Sequence, residues 1–186
     1  KNCRIKDIMK AIIFIGPPGS GKGTQAEKIA EKFGLAHIET SKIIEMKFKE
    51  AEPDDPQINR EKEKWLKGEL TTPSVFAGWF NEKVDELARD GQGIVTSGSI
   101  RTIAESEVVL PELEKFYGRE NIKFFYIALS EAESVKRNSA RRICQASRHP
   151  IPSGDFDPQF KDITACPWDG SPIVTRALDK PEVIKE

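Results

Sequence analysis

The stretch Gly16-Pro17-Pro18-Gly19-Ser20-Gly21-Lys22-Gly23-Thr24 follows Ala11-Ile12-Ile13-Phe14-Ile15 and precedes a segment in which Ala26, Ile29, Ala30 and Phe33 recur at helical spacing until Gly34. The continuous β-branched and aromatic run reads as a buried parallel strand, and Gly34 as a helix stop. Glycines at 16, 19, 21 and 23 let the backbone curl, so that successive N–H groups face one point where the helix dipole adds positive potential. Lys22 supplies a mobile charge for the β and γ oxygens of a phosphate chain. A glycine-rich turn without a ligand would not need strand, helix and lysine in register.

Outward from that loop, strands alternate with helices. Ala36-His37-Ile38 reads as a short strand, and Ser41 to Glu50 as a charged helix. Pro53-Asp54-Asp55-Pro56 breaks the chain before a solvated helix from Ile58 to Lys67, ended by Gly68. A further helix follows Pro73, with Val75, Phe76, Trp79, Phe80, Val84 and Leu87 on its apolar side. Gly93 to Ser97 is a third strand, Ala104 to Tyr117 a helix and Ile122 to Leu129 a fourth strand. The succession predicts an α/β fold with a parallel sheet covered by helices on both faces. From Glu131 a helix is expected to carry Arg137, Arg141 and Arg142 into a Pro/Gly/Asp-rich segment where the helical period is lost.

Size and charge bound the function. The 186 residues suit one globular domain or a core with small insertions. A net charge of −1, with 32% charged residues, gives no hint of a nucleic-acid or anionic-membrane partner, so positive charge must be local. No apolar run approaches a membrane span, and the first residues lack the apolar centre of a signal peptide, which makes cytoplasm the default location. Three cysteines, Cys3, Cys144 and Cys166, are too few and too oddly numbered for a disulfide framework.

Gly16 to Gln25, with Gly23 between the lysine and the hydroxyl of Thr24, resembles the loop of adenylate kinases and related nucleoside monophosphate kinases. The resemblance extends from Met9 to about Lys185, and it implies ATP-Mg as donor and a nucleoside monophosphate, AMP first, as acceptor. It implies a P-loop three-layer fold with a small helical acceptor-binding insertion and a lid. The expected parts are an N-terminal extension over 1–8, core over 9–38, acceptor-binding insertion over 39–72, core over 73–142, lid over 143–175 and an apparently truncated core over 176–186. Monomer is expected, with association through an open sheet edge as the alternative.

By motif position the resemblance assigns ATP binding to Gly16, Pro18, Gly19, Ser20, Gly21, Lys22, Gly23, Thr24, Arg137 and Arg141. It assigns acceptor binding to Thr40, Gly98, Arg101 and Glu105. Lys22, Arg101, Arg137, Arg141, Arg142 and Arg176 are the expected catalytic cations. Phosphoryl transfer needs no covalent nucleophile; it needs two nucleotides held in line and cations around the transferring group in a dry site. Arginine suits this because its planar fork grips two phosphate oxygens and keeps its charge.

Three departures stand out. Glu39-Thr40-Ser41-Lys42-Ile43-Ile44-Glu45 keeps only the threonine of the family's Ser-Thr-Gly-Asp-x-x-Arg, so that an expected phosphate-holding arginine is Glu45, with Lys42 or Lys47 as substitutes. Ser97 replaces an aspartate that organises magnesium through its waters, which should weaken the metal site. Glu105 replaces a glutamine that reads the adenine edge; a carboxylate there would suit the two donors of guanine, unless it merely faces solvent. Cys144-x-x-Ser147 and Cys166-x-x-Asp169 sit where relatives carry zinc ligands or a polar cluster. With His149 nearby, a structural zinc and a metal-free hydrogen-bonded set are the two readings. His37 is read as a satisfied structural histidine. Intact Lys22, Arg101, Arg141 and Arg142 favour an enzyme; Glu45, Ser97 and the short C-terminus favour a catalytically weak nucleotide-binding protein of the same fold.

Overall fold

The computed structural model describes residues 10–146, 150–152, 157–175 and 179. The expected extension over 1–8, Cys3, Ser147, His149 and Arg176 lie outside the described residues. Contacts group the described residues into two compact units. One joins the stretch ending at Gly16 to Ser20–Ala128; the other joins Pro17–Gly19 to the described residues from Leu129 onward.

The first unit is built on β1 (Ala11–Ile15), α1 (Lys22–Phe33), β2 (Ala36–Glu39), α2 (Thr40–Glu50), α3 (Pro56–Lys67), α4 (Pro73–Arg89), β3 (Ile94–Ser97), α5 (Ile103–Tyr117) and β4 (Ile122–Tyr126). The four strands form one parallel sheet in the order β2-β3-β1-β4, as the alternation of strands and helices predicts. Alternate residues of each central strand face opposite layers, because successive side chains on a strand point to opposite faces. Ala11, Ile13 and Ile94 join Phe76, Phe80, Val84, Val109 and Leu113 of α4 and α5 in the larger core. Phe14 and Val95 join Ala26 and Ala30 of α1 in the smaller one. Full burial of a side chain such as Phe76 or Phe80 contributes about 1.5–3 kcal/mol, so these two layers fix where the strand ends lie.

Two of the helix stops follow glycine chemistry. Gly34 and Gly68 end α1 and α3 at φ +65° and +85°, a left-handed conformation that costs other residues more. At the edge of the sheet, β4 leaves Phe124, Phe125 and Tyr126 about half exposed or more.

The second unit departs from expectation. Its helix α6 spans Glu131–Ser139 and stops before Arg141 and Arg142, where the sequence suggested it would continue. The reason is a tightened last turn: the Arg141 N–H bonds back to the Asn138 carbonyl at 2.9 Å, a three-residue spacing. Arg142 then opens a strand, β5 (Arg142–Cys144), which pairs antiparallel with β6 (Pro150–Ile151) and β7 (Ile173–Val174). The segment without helical period is thus a small three-stranded sheet around Cys144, Ile151 and Cys166.

Candidate functional site

The glycine loop begins where β1 ends. Gly16 has φ +144°, and a Cβ there would collide with the carbonyl oxygen of Ile127, just past β4, so the two backbones approach too closely for any side chain. Gly21, at φ +89°, caps α1 without a side-chain hydrogen bond, and Gly23 lies in the helix with open space around it. Lys22 donates from Nζ to the Gly16 carbonyl at 2.7 Å and lies 3.4 Å from Ser20 Oγ, so its ammonium curls back over the loop. Ser20 is buried and Thr24 is exposed.

Within the second unit, α6 backs Pro17–Gly19. Ser134 Oγ donates to the Pro18 carbonyl at 2.8 Å, and fully buried Asn138 donates to the Ser134 carbonyl at 2.8 Å. Gly19, at φ +73°, would place a Cβ 2.8 Å from Asn138 Nδ2 and 3.1 Å from Arg137 Cβ. Here glycine is needed for both its conformation and its size.

The strand ends of the first unit gather the expected acceptor residues. Thr40, the first residue of α2, is buried and donates from Oγ1 to the Ser97 carbonyl at 3.5 Å, while Gly98 turns at φ +80° beside it. His37 Nε2 lies 3.1 Å from Ser97 Oγ, and burial holds the imidazole pKa below its ordinary value. The structural reading of His37 fits this arrangement. Lys42 pairs with Glu39 at 3.5 Å and Lys47 pairs with Glu82, so both lysines suggested as substitutes at Glu45 already face carboxylates. Glu105 does not face solvent. It is fully buried, and its carboxylate accepts from the Arg101 N–H at 2.6 Å and from Arg101 Nη2 at 2.8 Å.

The described arginines of the second unit, Arg137, Arg141 and Arg142, each have a partner. Arg137 donates from Nε to Glu133 at 2.7 Å, a bond that holds the Glu133 carboxyl below its usual range. Arg141 forms a two-armed pair with buried Asp179, one arm at 2.9 Å from Nε. Arg142 bonds the backbone carbonyls of Phe160 and Ile163, bracing the small sheet.

Around that sheet, Cys144 Sγ donates to Asp169 at 3.0 Å and lies 2.8 Å from Ser171 Oγ. Burial pushes the Cys166 thiol pKa up. Cys144, Cys166 and Asp169 each present one donor atom within 4.8 Å of the others, three donors of the kinds zinc accepts. Ser171 escaped the sequence reading; the signal for it is the tight turn Cys166-Pro167-Trp168-Asp169-Gly170-Ser171. That turn closes through Gly170 N–H to the Cys166 carbonyl at 2.9 Å and Ser171 N–H to Asp169 at 3.0 Å.

Residues 15–149 match a family model described as an AAA domain. The chain is 31% identical over 179 residues to an adenylate kinase of Archaeoglobus fulgidus, covering 94% of this chain and 77% of that protein. It is 34% identical over 179 residues to an adenylate kinase of Methanothrix thermoacetophila, and 32% identical over 177 residues to one of Staphylococcus epidermidis, each alignment covering 93% of this chain and 77% of the relative. With a parallel sheet flanked by helices and the lysine-bearing glycine loop at the end of its β1 strand, the chain belongs to the adenylate kinase family of ATP-dependent phosphotransferases.

Proposed function

We propose that this nucleoside monophosphate kinase transfers the γ-phosphoryl of ATP to AMP. The observation that carries the reading is the loop itself, in which Lys22 Nζ already sits against the Gly16 carbonyl where donor phosphates would lie. The relatives' name supports AMP as acceptor. In this reading the backbone from Gly16 to Thr24 cradles the donor phosphates, with Lys22 neutralising the charge that develops on the transferring group. Thr40 and Gly98 line the acceptor side, and Arg101 holds the acceptor phosphate. Arg137, Arg141 and Arg142, with Arg176, supply further cations. Magnesium bound with ATP would supply positive charge at the donor phosphates; where the family carries a carboxylate this chain offers the Ser97 hydroxyl, which would orient the metal's waters less strongly.

Residues 39–72 serve as the acceptor-binding insertion and 143–175 as the lid. Cys144, Cys166 and Asp169 fit a structural zinc, with His149 as the fourth donor. The competing metal-free arrangement is favoured by the Ser171 hydroxyl, which already satisfies Cys144. The second functional reading, nucleotide binding with little turnover, draws on Glu45 and Ser97. A coupled assay of the purified chain with ATP-Mg against AMP, GMP, CMP and UMP tests both. Turnover that is highest with AMP and lost in Lys22→Ala supports the kinase, whereas nucleotide binding without turnover on any acceptor supports the alternative.

A further inference from the structure

Glu105 is a carboxylate with no exposed surface, on the first turn of α5. Such a group survives burial only when its oxygens are bonded, and both are: Oε2 accepts the Arg101 N–H at 2.6 Å and Oε1 accepts Arg101 Nη2 at 2.8 Å. Thr102 caps the helix by accepting the Glu105 N–H at 3.1 Å. In the usual capping box the carboxylate three residues in returns to the cap residue's own N–H. Here it reaches one residue further and takes the preceding arginine by both backbone and side chain.

The surroundings of Arg101 agree with a held posture. Its guanidinium carbon lies 4.9 Å from the centre of the Phe76 ring, which is itself fully buried. The preceding Ile100 has φ +59°, alone among the described non-glycine residues in the left-handed region. Such strain persists only where the surrounding bonds over-determine the backbone. Those bonds are the Glu105 carboxylate on one side and, on the other, buried Ser99, whose hydroxyl lies 2.5 Å from Thr96 Oγ1. Arg101 keeps donors in hand, because its Nε–H is buried and has no hydrogen-bond partner. An orphaned charged donor of that kind calls for an acceptor.

We propose that Glu105 is a positioning residue for Arg101, and that it reads no base. It pins the Ile100–Thr102 turn and rotates the guanidinium, so that the remaining donors of Arg101 meet the phosphate of the monophosphate acceptor. This inference rests on the phosphotransferase reading above. Because the phosphate is common to every acceptor, loss of Glu105 acts alike on all bases, whereas a base-reading carboxylate would move adenine and guanine in opposite directions.

Steady-state kinetics with AMP and GMP on wild type, Glu105→Gln, Arg101→Ala and the double variant separate the two. Glu105→Gln is expected to raise the acceptor KM about tenfold for both bases and to leave the KM for ATP within about twofold, as loss of one charge-assisted bond implies. In the Arg101→Ala background the same change adds nothing, since the two residues act as one unit. Glu105→Asp, which keeps the charge on a shorter arm, recovers part of the loss; it also serves the comparison between bases if Glu105→Gln does not fold. Opposite shifts for AMP and GMP, or independent effects in the double variant, overturn the proposal.

A readout without turnover separates this result from failure of the kinase reading. The Arg101 Nε–H resonance in nitrogen-15 NMR should be resolved and slowly exchanging in wild type and broadened or averaged in Glu105→Gln. If wild type phosphorylates nothing, the kinase reading fails, and an unchanged Arg101 resonance in the variant still overturns the positioning role.

Discussion

His37 on β2 and Ser97 on β3 join two neighbouring strand ends through a 3.1 Å contact between Nε2 and Oγ. Burial lowers the imidazole pKa; Glu39 and Glu27 pull it back up, and Lys42 adds to the lowering. The folded chain therefore resists a proton that the unfolded chain accepts below the ordinary value of 6.5. Stability contributed by neutral His37 is present above that pH and is lost as pH falls through 6.5 toward the folded pKa. Melting curves from pH 7.5 to about pH 5 should fall more steeply for wild type than for His37→Gln, and parallel curves would exclude the effect.

Gly16 and Gly19 should tolerate no side chain. Alanine at 16 meets the Ile127 carbonyl at φ +144°, and alanine at 19 meets Asn138 at φ +73°. Each is expected to cost about 1–3 kcal/mol in urea unfolding, from strain and overpacking together. Gly23→Ala, in a helical backbone with nothing near the new carbon, should match wild type or exceed it slightly.

A dinucleoside polyphosphate that spans both nucleotide positions should raise the melting midpoint. At a hundredfold excess over Kd, linkage gives about 2.7 kcal/mol of added stability. Lys22→Ala should abolish most of that shift while the ligand-free midpoint moves little, since the Lys22 bond to Gly16 is only part-buried. Equal shifts in the two proteins would remove Lys22 from phosphate binding.

If Cys144, Cys166 and Asp169 hold zinc, elemental analysis should find about one metal per chain, and chelation should expose residues 143–175 to protease before the core. Asp169→Asn, which removes a charged ligand, should lower retention of the metal. A preparation free of metal that resists protease equally well with and without chelator would support the hydrogen-bonded cluster of Cys144, Asp169 and Ser171.

The first unit was legible because its signals are long. β1 is a five-residue apolar run, α4 shows a sustained apolar stripe, and Gly34 and Gly68 mark stops that chain geometry requires. The small sheet was not, since strands of two or three residues leave no room for alternation to register. Nor was the end of α6, where local composition still favours a helix and pairing of Ile143 and Cys144 with neighbouring strands prevails. Of the candidate residues, the glycines and Lys22 follow from spacing alone, whereas what an arginine touches depends on partners distant in sequence. Arg141 meets Asp179 across 38 positions, and no local pattern announces that. Glu105 is the intermediate case: Thr102-x-x-Glu105 is a capping-box pattern, readable beforehand as a reason for the carboxylate to turn inward.

Helix α1 begins at Gly21 with no side-chain cap, and no acidic residue occupies its first turn. Most helices quench the positive end of their dipole with their own serine or aspartate. This one leaves the task to whatever anion arrives. A phosphate bound there would act as the missing capping residue, and nucleotide occupancy would then be a matter of secondary structure as well as affinity. The amides of Gly23 and Thr24 should exchange with deuterium quickly in the empty protein and slowly in the loaded one, giving a local clock for binding that needs no turnover.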